Sequence, residues 1–218
     1  MEKITLKRLL PDVFRGAEND PPVSRSQVWL HNLELSRGDE YLIAAESGTG
    51  KTSLCSFIYG VRTDYQGDIL FDGENIRSFD TARWCHIRRR HLAWLPQEMR
   101  LFPELSVMDN ILIKNRLTDC CTEAEIRRML EHLEVENKAD TLAAYLSVGQ
   151  QQRVAVIRAL VQPFDFIILD EPVSHLDARN NAAVAALVTE SASAREASVI
   201  ATSVGNHLAL NNPKIIHL

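Results

Sequence analysis

The chain has 218 residues, 45% of them hydrophobic and 24% charged, a length and balance that suit one globular domain with a sizeable core and exclude a disordered or fibrous chain. Its 24 Lys plus Arg against 29 Asp plus Glu give a formal net charge of -5, which argues against a protein built on a basic surface for gripping nucleic acid. No apolar run approaches the roughly 18 residues that a membrane-spanning helix needs, and the N-terminus lacks the apolar core of a signal peptide, so the chain is expected to stay inside the cell.

In chain order, Arg15 to Ser26 is rich in turn formers and predicts a surface loop. Alternation over Val28 to Leu35 predicts a strand, and after a turn at Arg37-Gly38-Asp39 the short apolar run Tyr41 to Ala45 predicts another. A Gly-containing loop follows, then Lys51 to Tyr59 at helical spacing, with Gly60 placed to stop the helix. Gly67 to Gly73 reads as a further strand, and the basic stretch Arg83 to His91 as a solvated helix leading into a strand at Leu92-Ala93-Trp94. From Ser106 to Leu160 the chain is dominated by helix formers, with Ile126, Met129, Leu130 and Leu133 spaced three and four apart. Strand signals return at Phe166 to Leu169, Ser198 to Thr202 and Lys214 to Leu218, with a helix over Ala182 to Val188 between two of them. Alternating strands and helices imply an α/β fold with a mostly parallel sheet covered on both faces, into which the helical middle is inserted as a subdomain.

Three segments carry chemistry. Ala45-Glu46-Ser47-Gly48-Thr49-Gly50-Lys51-Thr52-Ser53 lies between a strand and a helix. A phosphate chain needs converging backbone N–H groups, the positive end of a helix and one long cation. Gly48 and Gly50 let the backbone bend and approach, Lys51 is placed to reach the β- and γ-phosphates, and the Thr52 hydroxyl to coordinate Mg²⁺. The usual pattern opens with Gly; a methyl group at Ala45 is tolerable there if its φ is negative. The second segment, Phe166-Ile167-Ile168-Leu169-Asp170-Glu171-Pro172, puts two carboxylates where a buried strand should emerge, the edge at which open α/β sheets bind ligands. Asp170 would hold Mg²⁺ or its water and Glu171 would polarise the attacking water. The third is Leu146-Ser147-Val148-Gly149-Gln150-Gln151-Gln152-Arg153, at the start of a helix shortly before the Asp170 strand.

That third segment resembles the signature sequence of the ABC ATPase family, and further matches follow in family order. Gln97 in Leu95-Pro96-Gln97 is similar to the Q-loop glutamine, Ser174-His175-Leu176-Asp177 to the D-loop, and Phe14 stands about where the family has an adenine-stacking aromatic. Leu176 to Asn180 and the basic lead-in to Gln97 look most like the lipoprotein-releasing and macrolide-export-type ATPases. The resemblance implies a single P-loop NTPase domain of the ABC ATPase fold with an antiparallel N-terminal β portion. Residues of about 1–97 and 156–218 would form the α/β core, and about 98–155 the helical subdomain with the signature. It further implies ATP and Mg²⁺ as ligands, with Gln97 assisting at the metal and coupling nucleotide state to the cleft between core and subdomain. Two subunits would meet head to tail, so that Ser147, Val148, Gly149 and Gln150 of one face the ATP of the other, with Asp177 nearby. The partners would be a second ATPase subunit, identical or related, and membrane subunits that hold this one at the cytoplasmic face of the membrane, with no nucleic acid.

Two positions depart from the family. Val148 replaces the first glycine of the usual signature pair; a β-branched residue avoids positive φ, so this position is expected to be helical or extended. Ser203 occupies the place of the switch histidine. Its hydroxyl is shorter and cannot become cationic, which predicts normal ATP binding and slow hydrolysis, with His207 four residues on as a substitute or an ordinary surface histidine. The four cysteines, Cys55, Cys85, Cys120 and Cys121, contain no CxxC pair and read as reduced thiols, the vicinal Cys120-Cys121 as incidental. The rival function is an ABC ATPase without transport. The chain has neither the long coiled coil of repair members nor the second ATPase domain of translation factors, whereas a division-type signalling ATPase has the same sequence features.

Overall fold

The computed structural model describes residues 1–218. Its core is a five-stranded parallel sheet built from β3 (Glu40–Ala44), β6 (Leu92–Leu95), β7 (Phe166–Asp170), β8 (Ser198–Ser203) and β9 (Lys214–His217), in the order β6-β7-β8-β3-β9. Every residue of β7 and β8 is buried, which is why both read as uninterrupted apolar or small runs with no alternation. A second, antiparallel sheet is made by β1 (Lys3–Pro11), β2 (Asn32–Ser36), β4 (Tyr65–Phe71) and β5 (Glu74–Asn75), in the order β2-β1-β4-β5.

The helices are α1 (Pro21–Ser24), α2 (Lys51–Ile58), α3 (Thr81–Arg90), α4 (Val107–Asn115), α5 (Glu123–His132), α6 (Val148–Leu160) and α7 (Ala178–Ser193). Side-chain caps start five of them: Asp80, Ser106, Thr122, Ser147 and Asp177 each accept a backbone N–H from the first turn. One apolar cluster runs from α4, α5 and α6 under the parallel sheet to α7. The other joins α2, the antiparallel sheet and the opposite face of the parallel strands. Both faces of the parallel sheet are thus covered, as the alternating elements imply.

Two local readings need correction. The strand expected over Val28 to Leu35 begins only at Asn32, because Leu30 sits at φ 60 and the Ser26 hydroxyl accepts the N–H groups of Val28 and Trp29, folding that stretch into a turn. The loop expected over Arg15 to Ser26 contains the one-turn helix α1, started by Pro21 and Pro22 in its first turn. Gly67 at φ +83 lets β4 pass a register shift in β1; a Cβ there would lie 2.4 Å from the Lys7 carbonyl oxygen.

Candidate functional site

Parallel strands place their C-terminal ends at one edge, and four of them end at this site. β3 delivers the loop Ala45–Gly50, β8 ends at Ser203 beside it, β7 delivers Asp170 and Glu171, and β6 leads through Pro96 to Gln97. The separate sequence signals converge because β8 lies between β3 and β7.

The phosphate-type loop closes on itself. Gly48 and Gly50 stand at φ 82 and 100, while Ala45 is absent from the positive-φ residues, so its methyl group is accommodated. The Thr49 hydroxyl and the Lys51 ammonium both donate to the Glu46 carbonyl, at 3.0 and 2.7 Å. Lys51 is only 5% exposed, and its Nζ lies 3.8 Å from Glu171 Oε1. Burial pulls the Lys51 pKa down, and the neighbouring Glu171 and Asp170 carboxylates push it back up. Ser47 and Gly48 are exposed at the loop tip, whereas the Ser53 hydroxyl is turned to Arg62, which donates to it at 2.9 Å.

Beside the loop, Thr52 Oγ1 donates to Gln97 Oε1 at 3.1 Å. Asp170 is 1% exposed; its Oδ1 accepts from Thr202 Oγ1 at 2.7 Å, while its Oδ2 is buried with no hydrogen-bond partner. Burial raises the Asp170 pKa above its ordinary value, opposed by the Thr202 hydrogen bond, the nearby Thr52 hydroxyl and the Lys51 charge. A buried carboxylate oxygen with no donor costs several kcal/mol unless a cation meets it. Three hard oxygen groups, from Thr52, Gln97 and Asp170, therefore fit a magnesium ion, which favours such donors.

At the start of α6, Ser147 and Gln150 form a reciprocal capping box, with Gln150 N donating to Ser147 Oγ and Ser147 N to Gln150 Oε1. Val148 is the first helical residue, as a β-branched side chain requires, and is 47% exposed. Gly149 lies where a Cβ would stand 3.2 Å from the His175 carbonyl oxygen. Asp177 caps α7 through Asn180. Phe14 is half-buried, its ring centroid 6.4 Å from that of Trp29. Ser203 is 1% exposed, and its Oγ shares a hydrogen bond of 2.5 Å with Nδ1 of the exposed His207. The chain thus pairs the serine with the histidine four residues later.

Comparison with known proteins places this edge in a family. The ABC transporter family profile matches residues 30–174. The lipoprotein-releasing system ATP-binding protein LolD of Shewanella denitrificans is 32% identical over 165 residues, covering 73% of this chain and 70% of its own length. The chain belongs to the ABC transporter ATP-binding family. The ABC transporter ATP-binding protein YtrE of Bacillus subtilis is 29% identical over 179 residues, covering 81% of this chain and 76% of its own. The dimeric structure of MJ0796, a bacterial ABC transporter cassette, aligns with a TM-score of 0.74 at 22% identity, covering 91% of this chain and 87% of that one. As a member of this family the chain is an ATP-binding subunit and an ATPase whose turnover is coupled to transport.

Three residues of this ABC subunit escape sequence reasoning. Trp29 is buried beneath the phosphate-type loop, where its Nε1 donates to the Thr49 carbonyl at 3.0 Å, and a Cβ on Gly50 would approach its ring to 2.8 Å. Thr202 donates to Asp170 and accepts the Glu171 N–H at 3.2 Å. Gln152, buried on α6, donates to the Glu171 carbonyl at 2.9 Å and to Ser174 Oγ at 3.2 Å, and accepts His175 N–H at 3.1 Å. A Gln one turn into a helix, in line with the apolar Ala155, Val156 and Ala159, is the one sequence signal that could have pointed to such a role.

Proposed function

We propose that this subunit closes head to tail with a second ATPase subunit around ATP and magnesium, and that closure drives membrane subunits of the lipoprotein-releasing or macrolide-export type at the cytoplasmic face of a membrane. The observation that carries the reading is the meeting of Lys51, Thr52, Gln97, Asp170 and Glu171 at one sheet edge. The relatives named for lipoprotein release support the subtype, and the dimeric neighbour supports the pairing. No helix of this chain is long and apolar enough to cross a membrane, which fits attachment through separate membrane subunits.

In this reading the N–H groups of Gly48 to Thr52 and the N-terminus of α2 cradle the phosphates, and Lys51 trades the Glu46 carbonyl for phosphate oxygens. Phe14 lies against the adenine. Thr52, Gln97 and Asp170 would hold magnesium, which neutralises charge on the β- and γ-phosphates when bound. Glu171 accepts a proton from water as the water oxygen bonds the γ-phosphorus, and the bond from that phosphorus to the bridging oxygen breaks, releasing ADP and phosphate. Ser147 and the Gly149 N–H meet the partner subunit's γ-phosphate, and the exposed Tyr145 and Val148 beside them lie in the same interface. The helices within about 98–155 then move as a unit against the α/β core.

Ser203, shorter than the histidine of the family and engaged by His207, makes hydrolysis slow while binding stays normal. Two experiments test these readings. Glu171→Gln with ATP should elute from a sizing column as a dimer and without ATP as a monomer; a monomer in both shows that the chain pairs with a different subunit. In the intact complex Ser203→His should raise turnover, and an unchanged rate removes Ser203 as the cause of slowness.

A further inference from the structure

Far from the nucleotide edge, the turn between α4 and α5 carries Cys120 and Cys121 at the mouth of a cleft of about 400 Å³. The cleft also receives Glu125, Arg128 and His132 from α5 and Glu190 and Arg195 from α7 and the turn after it. Arg195 Nη2 reaches Cys120 Sγ at 3.6 Å. The guanidinium is itself held, by Nη1 donating to the Ser191 carbonyl at 2.7 Å and by stacking over the Phe164 ring at 5.1 Å. Asn115 fixes the dithiol from the other side: it donates to the Cys121 carbonyl at 2.8 Å and accepts the Cys121 N–H at 3.0 Å. Glu125 is held by the Thr122 capping box, and its carboxylate charge works on Cys120 against that of Arg195.

A thiol with a fixed cation beside it, a second thiol next in sequence and access to solvent are the requirements of a reactive cysteine with a resolving partner. The neighbouring Cys121 thiol, together with Arg195, lowers the Cys120 pKa to about 6, against the opposing effect of burial. Cys121, buried and beside that sulfur, is pushed up and stays a thiol.

We propose that Cys120 and Cys121 form a peroxide-sensitive modification site, with Cys120 as the nucleophile and Cys121 as the resolving thiol. The Cys120 sulfur attacks one oxygen of a hydroperoxide; the O–O bond breaks, the other oxygen leaves as water or alcohol, and Cys120 becomes a sulfenic acid, the peroxide being reduced. The Cys121 sulfur then bonds Cys120, its proton and the sulfenic hydroxyl leaving together as water. Neighbouring Cα atoms stand about 3.8 Å apart, below the roughly 4.4–6.8 Å that disulfides usually span, so the ring is strained and readily reduced. Closing it turns the peptide that Asn115 clamps, which ties oxidation to the α4–α5 junction.

The full chain tests this directly. Trypsin releases both cysteines in Leu117–Arg127 and leaves the exposed Cys85 in another peptide. Iodoacetamide labelling of Cys120 should rise with a midpoint near pH 6, and Arg195→Ala should move that midpoint upward. Equimolar hydrogen peroxide should make the Leu117–Arg127 peptide lighter by about 2 Da, reversibly with a dithiol reductant, and Cys121→Ser should instead give a dimedone-trapped sulfenic acid. A labelling midpoint near the ordinary thiol value of about 8.5 overturns the proposal. So does a gain of about 32 Da without ring closure, or oxidation of Cys85 ahead of this pair.

Discussion

Gln152→Leu removes one amide from a buried position while keeping its bulk, and so tests whether α6 holds the loop proposed to be catalytic. The side chain serves Glu171, Ser174 and His175 at 2.9, 3.2 and 3.1 Å. Leucine leaves the His175 N–H without a protein partner and the Glu171 carbonyl with only the long 3.4 Å bond from Ser174 N, at roughly 1–3 kcal/mol for a buried group. Ser174 and His175 are exposed and recover part of this from water, so the net loss should be about 2–3 kcal/mol, lowering Tm by roughly 4–10 °C for a domain of this size. Glu171 sits at φ 51, a conformation that costs a non-glycine residue about 1 kcal/mol or more and survives only when the surroundings hold it. With the shorter of the two bonds to its carbonyl gone, kcat should fall about 10- to 100-fold. Nucleotide affinity should move less than about threefold, since Lys51 and Thr52 do not touch Gln152. Scanning calorimetry, phosphate release and a fluorescent-nucleotide titration measure the three quantities. A Tm within about 2 °C of the parent together with unchanged kcat would refute the reasoning.

Asp170→Asn should abolish the rise in Tm that magnesium and ATP together produce, without lowering the Tm of the ligand-free protein. The native Asp170 pKa lies above its ordinary 3.8 because of burial. The folded state therefore binds the extra proton between the two values, and stability contributed by this group falls as pH rises through that window. Ligand-free Tm followed from pH 7 downward should show a gain in the parent that Asp170→Asn lacks. Gly50→Ala places a methyl group 2.8 Å from the Trp29 ring at φ +100 and should weaken nucleotide binding at least about tenfold, a loss of roughly 1.4 kcal/mol. Ser147→Ala removes the α6 cap at a cost of about 1 kcal/mol in calorimetry and should abolish the ATP-dependent dimer of Glu171→Gln. His207→Ala should change turnover if the Ser203–His207 contact acts in hydrolysis; identical rates would leave the pair a structural one.

The phosphate loop and the acidic pair were legible because their chemistry is local: a strand end, a bend and the residues that follow immediately. Val148 could be limited to a helical or extended backbone because its branched side chain avoids positive φ, and it opens α6. What the sequence concealed lies in long-range partners. Trp29 reads as part of a strand, since the Ser26 hydroxyl that folds it into a turn beneath Gly50 leaves no period in the sequence. Thr202 looked like one more β-branched residue of a buried strand, and only pairing with β7 at Asp170 reveals its hydroxyl as a support for both carboxylate residues. Ser203 stands out in the sequence as a substitution, but its contact with His207 depends on the turn through Gly205, at φ 75.

These hidden contacts share a direction, and it bears on how the subunit transmits its state. Gln152 joins the signature helix to the loop after β7, and Gly149 lets that helix lie against the His175 carbonyl of the same loop. Asn206, in the turn that brings His207 to Ser203, donates to the carbonyls of Val173 and Leu176, and Asn181 on α7 donates to Asn206 and to the His207 carbonyl. The signature, the loop carrying Glu171 and Asp177, and the turn after β8 are therefore fastened to one another by side-chain amides, while the phosphate loop closes on its own Glu46 carbonyl and meets them through the Lys51–Glu171 pair and the bond from Ala45 N to the Ser203 carbonyl. A shift of α6 on meeting a partner subunit's nucleotide would be felt first at the Glu171 backbone. Amide exchange across residues 171–177 and 203–207 should then slow together on ATP-driven closure of Glu171→Gln; slowing confined to the signature helix would show that the three segments move independently.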